Sequence, residues 1–145
     1  MKYLILLLLL IGCSKDFSKP DEMVTHYFSE ITSKKVSRDF FSKYTTGSLE
    51  ESILGMSDDE FELFTTSNLA QRVSINITNE NCLGNICNLT VILKYSTTNQ
   101  DNERVDSEIK KIVELERVEE YWKVSKMSNI RTFHEGKSPI HVESK

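Results

Sequence analysis

Val113-Glu114-Leu115-Glu116-Arg117-Val118-Glu119-Glu120-Tyr121-Trp122-Lys123-Val124 decides the fold. Taking Glu119-Glu120 as a two-residue loop sets Leu115 opposite Val124, Glu116 opposite Lys123 and Arg117 opposite Trp122. Carried outward, the same register puts Ile109 opposite Ile130. Ile109, Val113, Leu115, Trp122, Val124 and Ile130 then share one face, and charge pairs decorate the other. The reading predicts one strand over roughly Glu108 to Val118 and another from Tyr121 to about Phe133. Two glutamates are poor residues for such a turn, so its type stays open.

Upstream, a second antiparallel pair is legible. Val73, Ile75 and Ile77 alternate with polar residues, as do Leu89, Val91, Leu93 and Tyr95, with Ile92 the one apolar intruder. Gly84-Asn85 serves as a two-residue turn, facing Leu83 with Ile86 and Cys82 with Cys87. Such a non-hydrogen-bonded pair brings α-carbons to about 4.5 Å, within disulfide reach. Continued strictly, however, that register puts Val73, Ile75 and Ile77 on the face opposite Leu89, Val91 and Leu93. A bulge within Thr78-Asn79-Glu80-Asn81 repairs the mismatch, as would a wider turn of odd length. A long polar loop, Ser96 to Asp106, is expected to join the two hairpins.

The region before Asn68 is helical. Met23, Val24, Tyr27, Phe28 and Ile31 form one stripe on a helix from Lys19 to about Ser33, with Pro20 in its first turn. His26 points away from that stripe and reads as solvated. Ser37 caps a short helix carrying Phe40, Phe41 and Tyr44. Ser48-x-x-Glu51 and Ser57-x-x-Glu60 both match the capping box. The first would open a helix with Leu49, Ile53 and Leu54, ended by Gly55, and the second one with Phe61, Leu63 and Phe64. Asp58 and Asp59 suit that first turn through the helix dipole. Calcium would need more carboxylates at loop spacing and an internal glycine.

At the start, Met1 and Lys2 precede an uncharged run, Tyr3 to Ile11, too short to span a bilayer at the ~20 residues required. Leu10-Ile11-Gly12-Cys13 resembles the lipobox of bacterial lipoproteins. That resemblance implies a signal peptide over 1–12, acyl chains such as palmitate on Cys13, and a short tether through residue 19. It also implies an envelope location. Ser14 after the cysteine leans toward the outer membrane, facing the periplasm, in a Gram-negative source. Anchoring is durable only with more than one chain, at ~0.8 kcal/mol per buried methylene. The implied compartment is oxidising, which predicts a Cys82–Cys87 disulfide.

Composition and motifs narrow the chemistry. With 18 basic and 22 acidic residues the net charge is −4, and loss of residues 1–12 would remove only Lys2 from that count. A mildly acidic chain without a Lys/Arg cluster argues against nucleic acid. One domain over residues 20–133 is expected, followed by a flexible tail over 134–145. No phosphate loop or nucleophile elbow is present, and no cofactor is implied. Cys82 and Cys87 lack a second pair or a neighbouring histidine, so no metal site is expected; His134 and His141 read as solvent-facing. Asn76-Ile77-Thr78 and Asn88-Leu89-Thr90 match a glycosylation pattern but serve as polar strand faces. Tyr27, Phe28, Phe40, Phe41, Tyr44, Phe61, Phe64 and Trp122 are a core set that could instead line a cavity.

Helices followed by a meander of long strands ending in Tyr121-Trp122-Lys123-Val124 resemble the nuclear transport factor 2-like (cystatin-like) group. The resemblance implies an α+β fold in which a curved four-stranded antiparallel sheet wraps the first helix as a cone. Enzymes of that group, isomerases and dehydratases among them, place Asp, His or Tyr around the cone. The inner faces expected here offer Val, Ile, Leu, Trp and Cys. The leading expectation is therefore a non-catalytic, lipid-anchored envelope domain that binds an envelope protein or another copy of itself. The alternative is a carrier or sensor of a small apolar ligand in the cone. An isomerase- or dehydratase-like enzyme comes third.

Overall fold

Pro20, whose missing N–H costs nothing at a helix start, opens α1 (Pro20–Ser33), and Met23, Val24, Tyr27, Phe28 and Ile31 form its buried stripe as the spacing predicts. The structure, a computed structural model, describes residues 17–98, 100 and 102–136. The lipobox, Cys13, residues 14–16 of the tether, and His141 in the tail lie outside the described residues. After α1 come α2 (Arg38–Tyr44), α3 (Gly47–Leu54) and α4 (Asp58–Ser67), then β1 (Gln71–Leu83), β2 (Ile86–Thr98), β3 (Arg104–Val118) and β4 (Tyr121–Gly136). The strands form one antiparallel sheet in sequential order β1-β2-β3-β4, which is not closed. The fold is α+β, as expected. Among the described residues no helix is long and apolar enough to cross a membrane.

Helix starts follow local chemistry, with one correction. The Ser37 hydroxyl accepts from the Phe40 amide at 3.4 Å. At α4 the Ser57 amide donates to Glu60 Oε2 at 2.8 Å while the Glu60 amide donates to Ser57 Oγ at 3.3 Å, a complete capping box. The Ser48/Glu51 box does not form. Gly47, at φ 61°, is already the first residue of α3, and Thr46 occupies the cap position without a side-chain hydrogen bond. A positive φ suits glycine, so the chain turns into α3 one residue before the serine could cap it.

Both hairpins pair as read next to their turns. Cys82 faces Cys87 with α-carbons 4.0 Å apart and the sulfurs bonded, and Leu83 faces Ile86 across Gly84 at φ 60°. The register shift falls between Ile77 and Asn79, leaving Thr78 as the extra residue. That bulge sets Ile75 opposite Leu93 and Ile77 opposite Val91, on the helix-facing side of the sheet. A second shift lies between Gln71 and Ser74, beside Arg72 at φ 51°.

At the β3–β4 hairpin Leu115, Glu116 and Arg117 meet Val124, Lys123 and Trp122, with Glu119 alone of the two loop residues at positive φ, 58°. The match of Ile109 with Ile130 fails. Shifts at Glu114/Leu115 and Lys110/Lys111 add Ser125 and Ile130 to β4, so Ile109 faces Thr132 and Ile130 is 52% exposed. The long polar loop is also shorter than expected. Pairing continues to Thr98–Arg104, where Ser96 Oγ donates to Asp106 Oδ1 at 2.5 Å and Arg104 Nε donates to the same carboxylate at 2.9 Å. These polar side chains satisfy one another across the ladder, which lets a polar sequence remain strand. β4 likewise runs to Gly136, so the backbone of His134 belongs to the sheet and not to a tail.

Candidate functional site

The buried core joins α1, Phe41 and Ile53 to the inner residues Cys87, Leu89, Val91, Leu93, Val113, Leu115, Trp122 and Val124. Its aromatic side chains stack on one another. Phe41 meets Phe40 edge-on at 5.5 Å and Phe61 at 5.8 Å, and Phe40 lies 4.8 Å from Tyr44. Tyr27 packs against Phe28, Phe40 and Phe41. His26 is not the solvated side chain that its helix position implied. It is half-buried, 4.8 Å from Phe17 and 5.1 Å from Tyr44, because α2 and the chain before α1 close over that flank.

A cavity of about 260 Å³ lies beyond this aromatic core, between the C-terminal turns of α1 and α4, the α4–β1 connection and the inner sheet face. Phe28, Ile31, Phe64, Leu69, Val73, Leu93, Ile109 and Met127 give it an apolar wall. Of the eight aromatic residues read as possible lining, Phe28 and Phe64 take part. Tyr27, Phe40, Phe41, Tyr44, Phe61 and Trp122 belong instead to the packed part of the molecule. Aromatic rings on facing helices fill space between them. The gap opens where α4 ends, at short side chains such as Ser67 and Ala70.

The polar groups of the wall are mostly engaged locally. Thr32 Oγ1 donates to the Phe28 carbonyl at 2.6 Å, Ser67 Oγ to the Phe64 carbonyl at 2.9 Å and Asn68 Nδ2 to the same carbonyl at 3.0 Å. Lys111 is different. It shares strand parity with Ile109 and Val113, sits opposite Val91, and lines the cavity from the sheet side. Its Nζ donates to Asn129 Oδ1 at 2.6 Å, and burial pushes its ammonium below the usual lysine range. Among the described residues no Asp, Glu or His lines this cavity. The alternation Ile109, Lys111, Val113 is the sequence signal that places Lys111 inward.

No family model, curated protein or solved structure matches this chain. The site must therefore be read from its own chemistry. Glu80, Cys82 and Cys87 bring ligand atoms within 4.8 Å of one another, but both sulfurs are bonded to each other, which leaves no thiolate for a metal. The Tyr27 hydroxyl is buried without a hydrogen-bond partner among the described residues, and burial alone pushes its pKa up. It does not line the cavity.

Proposed function

We propose that this chain is a non-catalytic domain, tethered to a bilayer in the cell envelope through acylated Cys13, that carries or senses a small, largely apolar ligand. The observation that supports it is the apolar cavity of about 260 Å³ between the helices and the inner sheet face. Ligand sites are concave, mostly apolar and furnished with few polar groups, and this one has that make-up. A sheet wrapped around α1 as in the nuclear transport factor 2-like cone belongs to the same proposal. The test uses the full chain in lipid nanodiscs and 1-aminoanthracene as an apolar fluorescent probe. Saturable binding at one probe per chain, abolished by Val73→Trp, is expected. Binding no greater than to empty discs would end the reading.

A different observation favours a second reading. Leu83 and Ile86, 86% and 48% exposed, and Val118 and Tyr121, 36% and 40% exposed, lie at the end of the sheet where both hairpins turn. Strand parity and pairing put all four on the outer face. Such an apolar group suits contact with an envelope protein or a second copy of the chain. Sedimentation of the full chain, with in-cell cross-linking from position 83, tests it; a strict monomer with no captured partner rules it out.

A further inference from the structure

We infer that the ligand of the cavity is a small amphipathic carboxylate, its apolar body inside and its anionic head on Lys111; this rests on reading the cavity as a ligand site. Lys111 occupies an inner-face position between Ile109 and Val113, where the core needs an apolar side chain. Among the described residues it is the one charged side chain of the lining, in a chain whose acidic residues outnumber its basic ones 22 to 18. Its one hydrogen-bond partner among the described residues is Asn129. An ammonium carries three donors and Asn129 takes one, which leaves two for a carboxylate. Asn129 is exposed, so the cation stands where the lining meets solvent. That arrangement fits a ligand entering tail first and leaving its head at the mouth. At ~30 Å³ per water-sized group, about 260 Å³ admits about nine such groups, the size of a medium-chain or small aromatic acid.

A lysine that merely lays its stem along apolar surface and keeps its head in water would be indifferent to the ligand's head group. Equilibrium dialysis separates the two cases. The full chain in phosphatidylcholine nanodiscs is titrated with octanoate and with octanol, against empty discs. Octanoate should saturate at one per chain and bind about tenfold or more tighter than octanol, as one charge-assisted hydrogen bond allows. Lys111→Met should erase that preference and Lys111→Arg should keep most of it, with thermal unfolding confirming that both variants fold. Equal binding of octanoate and octanol, unchanged in Lys111→Met, overturns the carboxylate assignment while leaving the cavity reading intact. Saturable binding of neither overturns both.

Discussion

Arg38 ties three helices together with one side chain. Its guanidinium donates to the carbonyls of Ile53 and Leu54 at 3.3 Å and of Met56 at 2.9 Å, and pairs with Asp58 at 3.1 Å. The same group lies 4.3 Å over the Phe61 ring. The last carbonyls of α3 have no partner within their own helix, and a planar fork of donors suits them. Arg38→Ala should cost about 2–3 kcal/mol, the scale of hydrogen bonds to a charged group, and Arg38→Lys should recover less than half of that. Urea unfolding of the two variants checks the order. Tyr27→Phe should go the other way. Removing a buried hydroxyl that has no partner among the described residues is expected to leave stability unchanged or raise it by up to ~1–3 kcal/mol in the same assay. Neither residue could be read from the sequence in this way. Arg38 looks like an ordinary first-turn residue, and its partners, 15 to 20 positions on, are mainly carbonyls that carry no side-chain signature. Lys111 was legible, since two-residue periodicity alone puts it beside Ile109 and Val113.

Each element that was read correctly carries its own punctuation. The α4 start is an example, because Ser57 and Glu60 satisfy each other within one turn. The Ser57 amide and hydroxyl hold the Glu60 carboxyl below its usual range. A lowered folded value means that the stabilisation is present above the ordinary glutamate range and fades as pH falls through the folded one. Wild type should therefore exceed Glu60→Gln in thermal stability at pH 7, and the gap should close on acidification toward pH 3. A gap independent of pH would remove the capping carboxylate from the account. The Cys82–Cys87 bridge closes a short loop, with a sequence separation of 5. Reduction, or Cys82→Ser with Cys87→Ser, should cost about 2 kcal/mol or less by chain entropy. Amide exchange should quicken around Gly84 while the remaining sheet stays protected. The bulge at Thr78 was foreseeable because two apolar faces had to agree. Those in β4 were not, since Ser125 and Ile130 resolve no conflict visible in the alternation.

At the scale of the molecule, hairpins could be read and the helix-to-sheet fit could not. A cavity is a volume that several elements together fail to fill, and no single stretch records it. The two sheet edges also differ in a way that only the assembled chain shows. Along β4 the outer backbone is partly covered, since the Thr46 amide donates to the Val124 carbonyl at 2.9 Å and the Trp122 amide donates to the Phe17 carbonyl at 3.2 Å. β1 is the opposite edge, interrupted by its two register shifts, which make it a poor template for another strand. Trp122 adds a second tie, its indole N–H donating to the Ser18 carbonyl at 3.1 Å. Trp122→Phe should lose more than the ~1 kcal/mol net value of one such bond in urea unfolding, since the smaller ring also gives up core packing, and should loosen residues 17 and 18 in amide exchange. The double tie has a mechanical consequence. Force arriving along the chain at Phe17 meets Trp122 before it meets the first turn of α1, so a tug from that side is delivered to the sheet, and the helix is spared from unwinding until both bonds part.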